Sequence, residues 1–261
     1  MFEDSYGRKS ILMNLLGFKK EDKEYLELVV FFDNKPGMIK KVSDVLTALN
    51  ANILEGFHDV IDNRGVWGTF LEMEPSTPYE EEIESAIKIP GVQDIKYHKL
   101  KKSEYFERFF FPLGMERLRL LVLTQSAFQR MTKGIVNTFG SGGEALIYNE
   151  GKALAVDMEE SLGDILETLE SPKERLEFVS CVLRATGWGI MDFEGLNLEE
   201  GVGFIDVKEN AETIEGYSKQ CHFTRGMLTQ VLRTIIKDPE LELRETRCIG
   251  NGAPSCRYSI I

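Results

Sequence analysis

The chain has 261 residues, of which 43% are hydrophobic and 28% are charged, a balance typical of a globular protein with sizeable cores. This length favours two domains over one. The formal net charge of −12 argues against a generic nucleic-acid surface, because phosphate contacts need a basic face. No stretch approaches the roughly 18 consecutive apolar residues of a membrane span. We therefore expect a cytoplasmic protein with reduced thiols.

Residues 1–24 are predicted to form a helical extension. Residues 11–16 are mostly apolar, but Asn14 interrupts the run and no small-residue cleavage site follows. Both features differ from a signal peptide. We expect an amphipathic helix that packs on the body of the protein or on a partner.

Residues 25–100 alternate between strand-like and helix-like patterns. Leu26, Leu28 and Val30 fall on one face of the first stretch, as in a half-buried strand. Pro36 is well placed at a helix start, and apolar residues then recur at helical spacing. The predicted strands are 25–32, 53–61, 66–73 and 92–97, with a helix after the first strand and another after the third. This βαββαβ order is the ferredoxin-like split arrangement and places the chain in the α+β class.

The same segment resembles an ACT domain. The likeness rests on Asp-Asn-Lys-Pro-Gly at 33–37, between the first strand and the first helix. It also rests on Ala-Asn-Ile at 51–53, after that helix, and on Pro-Gly-Val at 90–92, before the last strand. The resemblance implies a regulatory module that binds an amino acid at the strand-to-helix loop or forms dimers through sheet edges or helices.

The loop before the first helix is the candidate amino-acid site. Free backbone amides at a helix start can hold a carboxylate, and Gly37 lets the backbone approach a ligand closely. The alternative is that Pro36 and Gly37 only build a turn and the domain only forms a homodimer. The predicted loop-site residues are Asn34, Pro36, Gly37, Met38 and Asn52.

Residues 101–114 are predicted to form a linker helix, and residues 115–261 a second, mixed α/β domain. The linker mixes lysines with aromatic residues, which we expect to pack on a domain rather than to stack on single-stranded nucleic acid. The glycines at 140–143 are expected to cap the preceding helix, because no Lys-Ser/Thr follows as in a phosphate loop. Cys181 is expected to be a buried thiol. The other predictions are strands at 145–148, 190–198 and 201–207, helices at 127–139, 161–169 and 172–185, and a helix starting at 210–216.

Three of the four cysteines lie in the C-terminal part of the chain. Residues 241–248 and 256–261 are predicted to be strands joined by a Gly/Pro-rich turn, which would bring Cys248 and Cys256 together. Cys221 stands just before a predicted helix, where amide dipoles favour its thiolate. With Glu245, the three thiolates form a closed tetrahedral set suited to a structural Zn²⁺.

Other interpretations of these residues stay open. Cys248 and Cys256 can form a disulfide or remain unligated core thiols. On a regular strand Glu245 and Cys248 point to opposite faces, so joint ligation needs a bulge near 246–247. His222 is a rival for the fourth ligand position.

The chain from Gly187 onward resembles the 4-vinyl reductase domain, a small-molecule-binding module. The matching features are Gly-Trp-Gly at 187–189, the strand at 203–207, Cys-His-Phe-Thr-Arg-Gly at 221–226, Glu-x-x-Cys at 245–248 and Gly-x-x-x-Cys-x-Tyr at 252–258. The resemblance implies a mixed α/β fold shared with trafficking-complex subunits and with sensor domains of aromatic-responsive regulators. It also implies a structural zinc held by Cys221, Glu245, Cys248 and Cys256.

The sequence contains no recognisable catalytic constellation. Three histidines occur without a nucleophile-elbow motif, and no GxGxxG follows a strand. We therefore expect a ligand-sensing regulatory protein, not an enzyme, with a small apolar or aromatic molecule bound in the second domain. The candidate pocket residues, which can instead be ordinary core, are Phe128, Tyr148, Phe178, Trp188, Phe193 and Phe204.

Two other functions stay open at this point. The name of the second family implies an enzyme, or an enzyme accessory, that acts on a tetrapyrrole vinyl group, although the sequence carries no nicotinamide or flavin motif. The likeness to trafficking-complex subunits implies an assembly scaffold, which a filled core without a cavity would favour.

Overall fold

The computed structural model describes residues 22–61, 63–75, 77–100, 114–115, 118–119, 121, 123–214, 216 and 221–261. The chain divides into two compact units after residue 120. Antiparallel sheets occur in both units, so the protein belongs to the α+β class. Most of the predicted extension (1–24) and of the predicted linker helix (101–114) lies outside the described residues. Within the described part, no helix is both long and apolar enough to cross a membrane.

The first unit has the predicted ferredoxin-like order. Its sheet runs β2-β3-β1-β4, with every neighbouring pair antiparallel. A two-residue pair, β5 with β6, follows. The elements are β1 Glu24–Asp33, α1 Met38–Ala48, β2 Asn52–Ile61, β3 Arg64–Met73, α2 Glu80–Ser85, a 3₁₀ turn Ala86–Lys88, β4 Val92–Lys99, β5 Gly114–Met115 and β6 Leu118–Arg119.

Alternating apolar residues of β1 form the centre of this unit's core. Leu26, Leu28 and Val30 are buried against Val42 and Leu46, which recur four residues apart on α1. The alternation of β1 and the helical spacing of α1 therefore meet on one side of the sheet. In this unit the apolar pattern of the sequence coincides with the observed core.

In its described residues, the second unit contains four helices and a second sheet. The sheet order is β10-β11-β9-β7, and β8 pairs with β9. Its elements are α3 Gln125–Phe139, α4 Ser141–Thr168, α5 Pro172–Ala185, β7 Ile190–Asp192, β8 Leu196–Asn197, β9 Val202–Lys208, α6 His222–Ile236, β10 Leu243–Arg247, a 3₁₀ turn Ile249–Asn251 and β11 Cys256–Ile260.

The predicted strand at 145–148 is wrong, because these residues lie inside the 28-residue helix α4. Four apolar residues in a row do not by themselves distinguish a strand from a buried helix segment. The helix packs tightly on α6. A Cβ added at Gly151 would lie 2.1 Å from the carbonyl oxygen of Phe223, and one added at Gly226 would lie 2.0 Å from that of Tyr148. These two glycines let the helix backbones come close together.

Two further predictions in the second unit are wrong. Residues 210–214 do not start the predicted helix, whereas the helix predicted directly after Cys221 is confirmed and begins at His222. The side chains of Asn210 and Glu212 instead hydrogen-bond to backbone and side-chain groups away from their own segment, which competes with helix formation. Cys181 is exposed, because it lies on the side of α5 opposite the buried stripe that includes Val179.

Candidate metal centre

Four side chains from the start of α6 and from the β10–β11 hairpin converge in the second unit. Cys221 precedes α6, Glu245 lies on β10, Cys248 follows that strand and Cys256 begins β11. All four are buried, and one ligand atom from each lies within 4.8 Å of the others. The Sγ of Cys248 is 3.7 Å from that of Cys221 and 3.8 Å from that of Cys256. This cluster can hold a metal ion.

A bulge in β10 turns Glu245 and Cys248 to the same side. The pairing of β10 with β11 shifts register between Glu245 and Arg247, at the position where joint ligation requires it. The 3₁₀ turn at Ile249–Asn251 then reverses the chain, and the backbone N–H of Ile249 donates to the Sγ of Cys256 over 3.4 Å.

The donor set fits a zinc ion in geometry and in chemistry. A tetrahedron with Zn–S bonds of about 2.3 Å has S···S edges of about 3.8 Å, and both S···S distances match this length. One carboxylate oxygen of Glu245 accepts from the backbone N–H of Cys221 over 2.8 Å, whereas the other is buried without a hydrogen-bond partner. A ligated cation would satisfy this second oxygen. The cysteines are free thiols and form no disulfide.

The shifted pKa values indicate that the cluster resists carrying several negative charges when no cation is bound. Burial raises the pKa of Glu245 to about 7. Hydrogen bonds with Cys248 and Cys256, together with burial, raise the pKa of Cys221. Hydrogen bonds from Cys221 and Cys248 lower the pKa of Cys256 to about 2. One thiolate thus forms readily and disfavours ionisation of its neighbours, a conflict that a divalent cation removes.

The rival ligand His222 is not among the four convergent donors. It is the first residue of α6, and its Nε2 lies 3.9 Å from a carboxylate oxygen of Glu144 on α4. The carboxylate of Glu245, not this imidazole, therefore completes the set of three sulfurs.

Three residues near the cluster were missed by the sequence analysis. They are Asn210, Glu212 and Thr213, in the segment predicted to be helical. Burial raises the pKa of the Glu212 carboxyl to about 7. A cavity of about 20 Å³, room for about one water, adjoins Glu212, Thr213 and two of the cysteines. The polar composition of 209–213 was the available signal, but it does not reveal which long-range partners these side chains take.

The predicted amino-acid loop in the first unit surrounds the start of α1. Asn34, Pro36 and Gly37 are exposed, and Gly37 has a φ of +86° with no atom within 4 Å of an added Cβ. The side chain of Met38 is buried in the core, so only its backbone amide can face a ligand. Asn52 is exposed at the start of β2. No side chain caps α1, which leaves its first amides open to a carboxylate.

The six predicted pocket residues are half-buried and lie at several places in the second unit. Phe128 and Trp188 meet edge to face, with ring centroids 5.2 Å apart. A third ring, Phe223, stacks on Trp188 at 5.2 Å and was missed, although it follows Cys221 by only two positions. Tyr148 instead donates to Glu242. The other predicted members lie on α5 (Phe178), just after β7 (Phe193) and on β9 (Phe204).

Comparison with known proteins identifies no family for this chain. No family model matches it, and no curated protein matches it. The C-terminal domain of the MgtC protein from Mycobacterium tuberculosis is 14% identical with a TM-score of 0.30, over 34% of this chain and 98% of that one. The ACT domain from GTP pyrophosphokinase of Chlorobium tepidum is 13% identical with a TM-score of 0.26, over 29% and 99%. An ACT domain protein from Streptococcus pneumoniae is 20% identical with a TM-score of 0.26, over 29% and 89%.

These matches are too weak to assign a function. The ferredoxin-like description of the first unit rests on its own strand order, β2-β3-β1-β4. The 4-vinyl reductase identity of the second unit stays a prediction.

Proposed function

We propose that this chain is a regulatory protein without catalytic activity. In this proposal the second unit is a 4-vinyl-reductase-like module that binds a small apolar or aromatic molecule and is stabilised by a structural zinc ion. The first unit is an ACT-like module that binds an amino acid or forms a homodimer. The observation that carries the proposal is the buried convergence of Cys221, Glu245, Cys248 and Cys256.

Zinc is favoured by the donor types, and a structural role by their number. Three thiolates and one carboxylate fill four tetrahedral positions, whereas a catalytic zinc keeps one position open. Soft sulfur ligands select against magnesium and calcium. When bound, the ion would supply positive charge that joins the start of α6 to the β10–β11 hairpin.

The ring cluster of Phe128, Trp188 and Phe223 supports binding of an aromatic molecule. Its rings pack edge to face and in parallel, and a planar ligand can make the same contacts. The three rings contact one another, so such a ligand would enter by separating them.

Two features of the first unit support its proposed role. The uncapped start of α1 offers open amides to an amino-acid carboxylate. Strand β2 lies at the edge of the sheet and exposes Ile53, Val60 and Ile61, which suits pairing with a second copy.

Two measurements test the proposal. Elemental analysis of protein purified without chelator should find about one zinc per chain, and absence of any metal would refute the structural site. A thermal-shift screen of amino acids and small aromatic molecules should raise the melting temperature with at least one compound. If none does so, the sensing role is wrong even when zinc is present.

An assembly scaffold is the second candidate, and the small size of the cavity beside the cysteines favours it. A scaffold would retain its zinc and its oligomeric state, and no ligand would shift its melting temperature. A sensor would show such a shift. The same screen therefore separates the two functions.

A further inference from the structure

A polar segment between β9 and α6 crosses over the metal cluster. We call residues 210–214 the strap. Its backbone is fixed from two sides. Ala211 N–H donates to the carbonyl of Trp188 over 3.0 Å, and the side-chain amide of Gln129 on α3 donates to the carbonyls of Ala211 and Thr213 over 3.1 and 2.6 Å. The strap therefore has a defined position although it contains neither helix nor strand.

The strap holds the first turn of α6, directly after Cys221. The buried carboxylate of Glu212 accepts from the backbone N–H groups of Phe223 and Thr224 over 3.0 and 2.9 Å. Cys221 itself offers no side-chain cap to this helix. Glu212 lies ten positions before the first residue of α6 and accepts the hydrogen bonds that an N-cap side chain would normally accept. It therefore fixes the backbone next to Cys221.

Asn210 connects the strap to both sides of the cluster. Its side-chain oxygen accepts from the Thr224 hydroxyl over 3.0 Å and from the Glu212 N–H over 3.1 Å. Its amide donates to the hydroxyl of Tyr258 over 3.1 Å, two residues after Cys256. The strap therefore links the α6 side of the cluster to the β11 side.

Thr213 makes the most direct contact. Its hydroxyl oxygen lies 3.7 Å from the Sγ of Cys221 and 3.6 Å from the Sγ of Cys256. A thiolate accepts hydrogen bonds and cannot donate them, so in the metal-bound state this hydroxyl is the donor. The hydroxyl therefore lies near one sulfur at the start of α6 and one sulfur on β11.

We propose that the strap is the outer layer of the metal centre, in which the Thr213 hydroxyl shares its single proton between the thiolates of Cys221 and Cys256 and Glu212 holds Cys221 in place through α6. Both are positioning residues and neither ligates the metal. This inference rests on the proposed zinc site. Loss of such an outer partner typically weakens metal binding by about 10- to 100-fold.

The test compares Thr213→Val and Thr213→Ala with two controls. Thr213→Ser keeps the hydroxyl, and Thr138→Val removes an exposed hydroxyl on α3 that bonds to the carbonyl of Gly134 in the same helix. Zinc affinity is measured by competition with a chromophoric chelator, with circular dichroism as the check on folding. We expect about 10-fold weaker binding for the valine and alanine variants. Both controls should match the unmodified chain.

A second readout does not depend on zinc. In metal-free protein, a hydroxyl that donates to a thiolate stabilises it and lowers the pKa of that cysteine. In the valine and alanine variants, alkylation of Cys221 or Cys256, as located by mass spectrometry, should therefore reach its half-maximal rate at a higher pH. Unchanged affinity and unchanged alkylation in both variants would overturn the strap inference. If the unmodified chain binds no zinc, the proposed metal site fails, and alkylation alone then decides the role of Thr213.

Discussion

The cores of the two units are held together by different interactions. In the first unit, apolar side chains such as Leu28 and Leu46 meet across β1 and α1, and each belongs to a regular local pattern. In the second unit, the region around the hairpin buries Cys248, Cys256 and the carboxylate of Glu245 within a core that also contains Leu228. Apolar burial is favourable by itself, whereas buried ionisable groups need a partner.

This difference predicts which part of the molecule depends on an ion. The first unit should fold without a bound ion, because burial of its apolar side chains is favourable by itself. The second unit should require a cation, because its cluster otherwise buries a carboxylate oxygen without a partner and three crowded sulfurs. Substitutions in either unit should therefore affect zinc content and stability differently.

Replacing a cysteine of the cluster should have the largest effect. Cys248→Ser or Cys256→Ser should release the metal and destabilise the second unit by several kcal/mol, because site formation and folding are linked. Cys181→Ser is the matched control, since this thiol is exposed on α5. Chemical unfolding and elemental analysis give the two readouts. A cluster variant that kept its metal and its unfolding midpoint would contradict the account.

Leu28→Ala should destabilise the first unit by about 2–5 kcal/mol, through lost burial and the cavity left behind. Zinc content should not change. The cysteine variants should instead lose zinc and destabilise the second unit. Hydrogen exchange of the α1 amides measures the loss of stability in the first unit. Loss of zinc together with loss of α1 protection would show that the two cores are not independent.

Gly226→Ala should destabilise the second unit by about 1–3 kcal/mol, because the added methyl group would meet the carbonyl of Tyr148 across the α4–α6 contact. Gly134→Ala on α3 is the matched control, since nothing lies within 4 Å of its added Cβ. The control should gain about 0.5–1 kcal/mol from helix propensity. Denaturant unfolding that ranked the two variants in the opposite order would refute the close approach of α4 and α6.

Asp206→Asn should have the smallest effect and should depend on pH. Hydrogen bonds from Arg257, and further ones from Arg247 and Ser255, lower the pKa of Asp206 to about 2. A depressed pKa in the folded state adds stability above the unfolded value, and this stability is lost as the pH falls towards 2. The variant should therefore be less stable than the unmodified chain by about 1 kcal/mol at pH 7, because solvent screening reduces the full value of the shift.

The difference between the two proteins should shrink as the pH falls from 7 to 3, and urea unfolding across this range measures it. The comparison removes the effect of acid on the metal site, which both proteins share. A difference that stayed constant with pH would show that Asp206 contributes through packing rather than charge.

The sequence predicts an element well where one period runs through all of it. The alternation of Leu26, Leu28 and Val30 and the spacing of Val42 and Leu46 each cover a whole element, and the structure places both in the core. At 145–148 four apolar residues follow a glycine cluster, and the period that matters appears only over Ile147, Gly151 and Ala155, which are buried four residues apart in α4.

The cluster and its surroundings also differ in how well the sequence predicts them. The spacing of Glu245, Cys248 and Cys256 carries enough local information to predict their convergence, because one hairpin joins them. The contact of Thr213 with Cys256 spans 43 positions, and no local pattern indicates it. From the sequence, Glu212 would likewise be taken for a surface carboxylate. Only the structure shows that it accepts hydrogen bonds from the first turn of α6.

The most direct test of the contrast is hydrogen exchange on the full-length protein before and after removal of the metal with a strong chelator. The account predicts that amides of β10, β11 and the first turn of α6 lose protection while those of β1 and β3 keep theirs. Equal protection in both units after complete removal of bound metal would contradict the central claim that an ion holds the C-terminal hairpin to the helix.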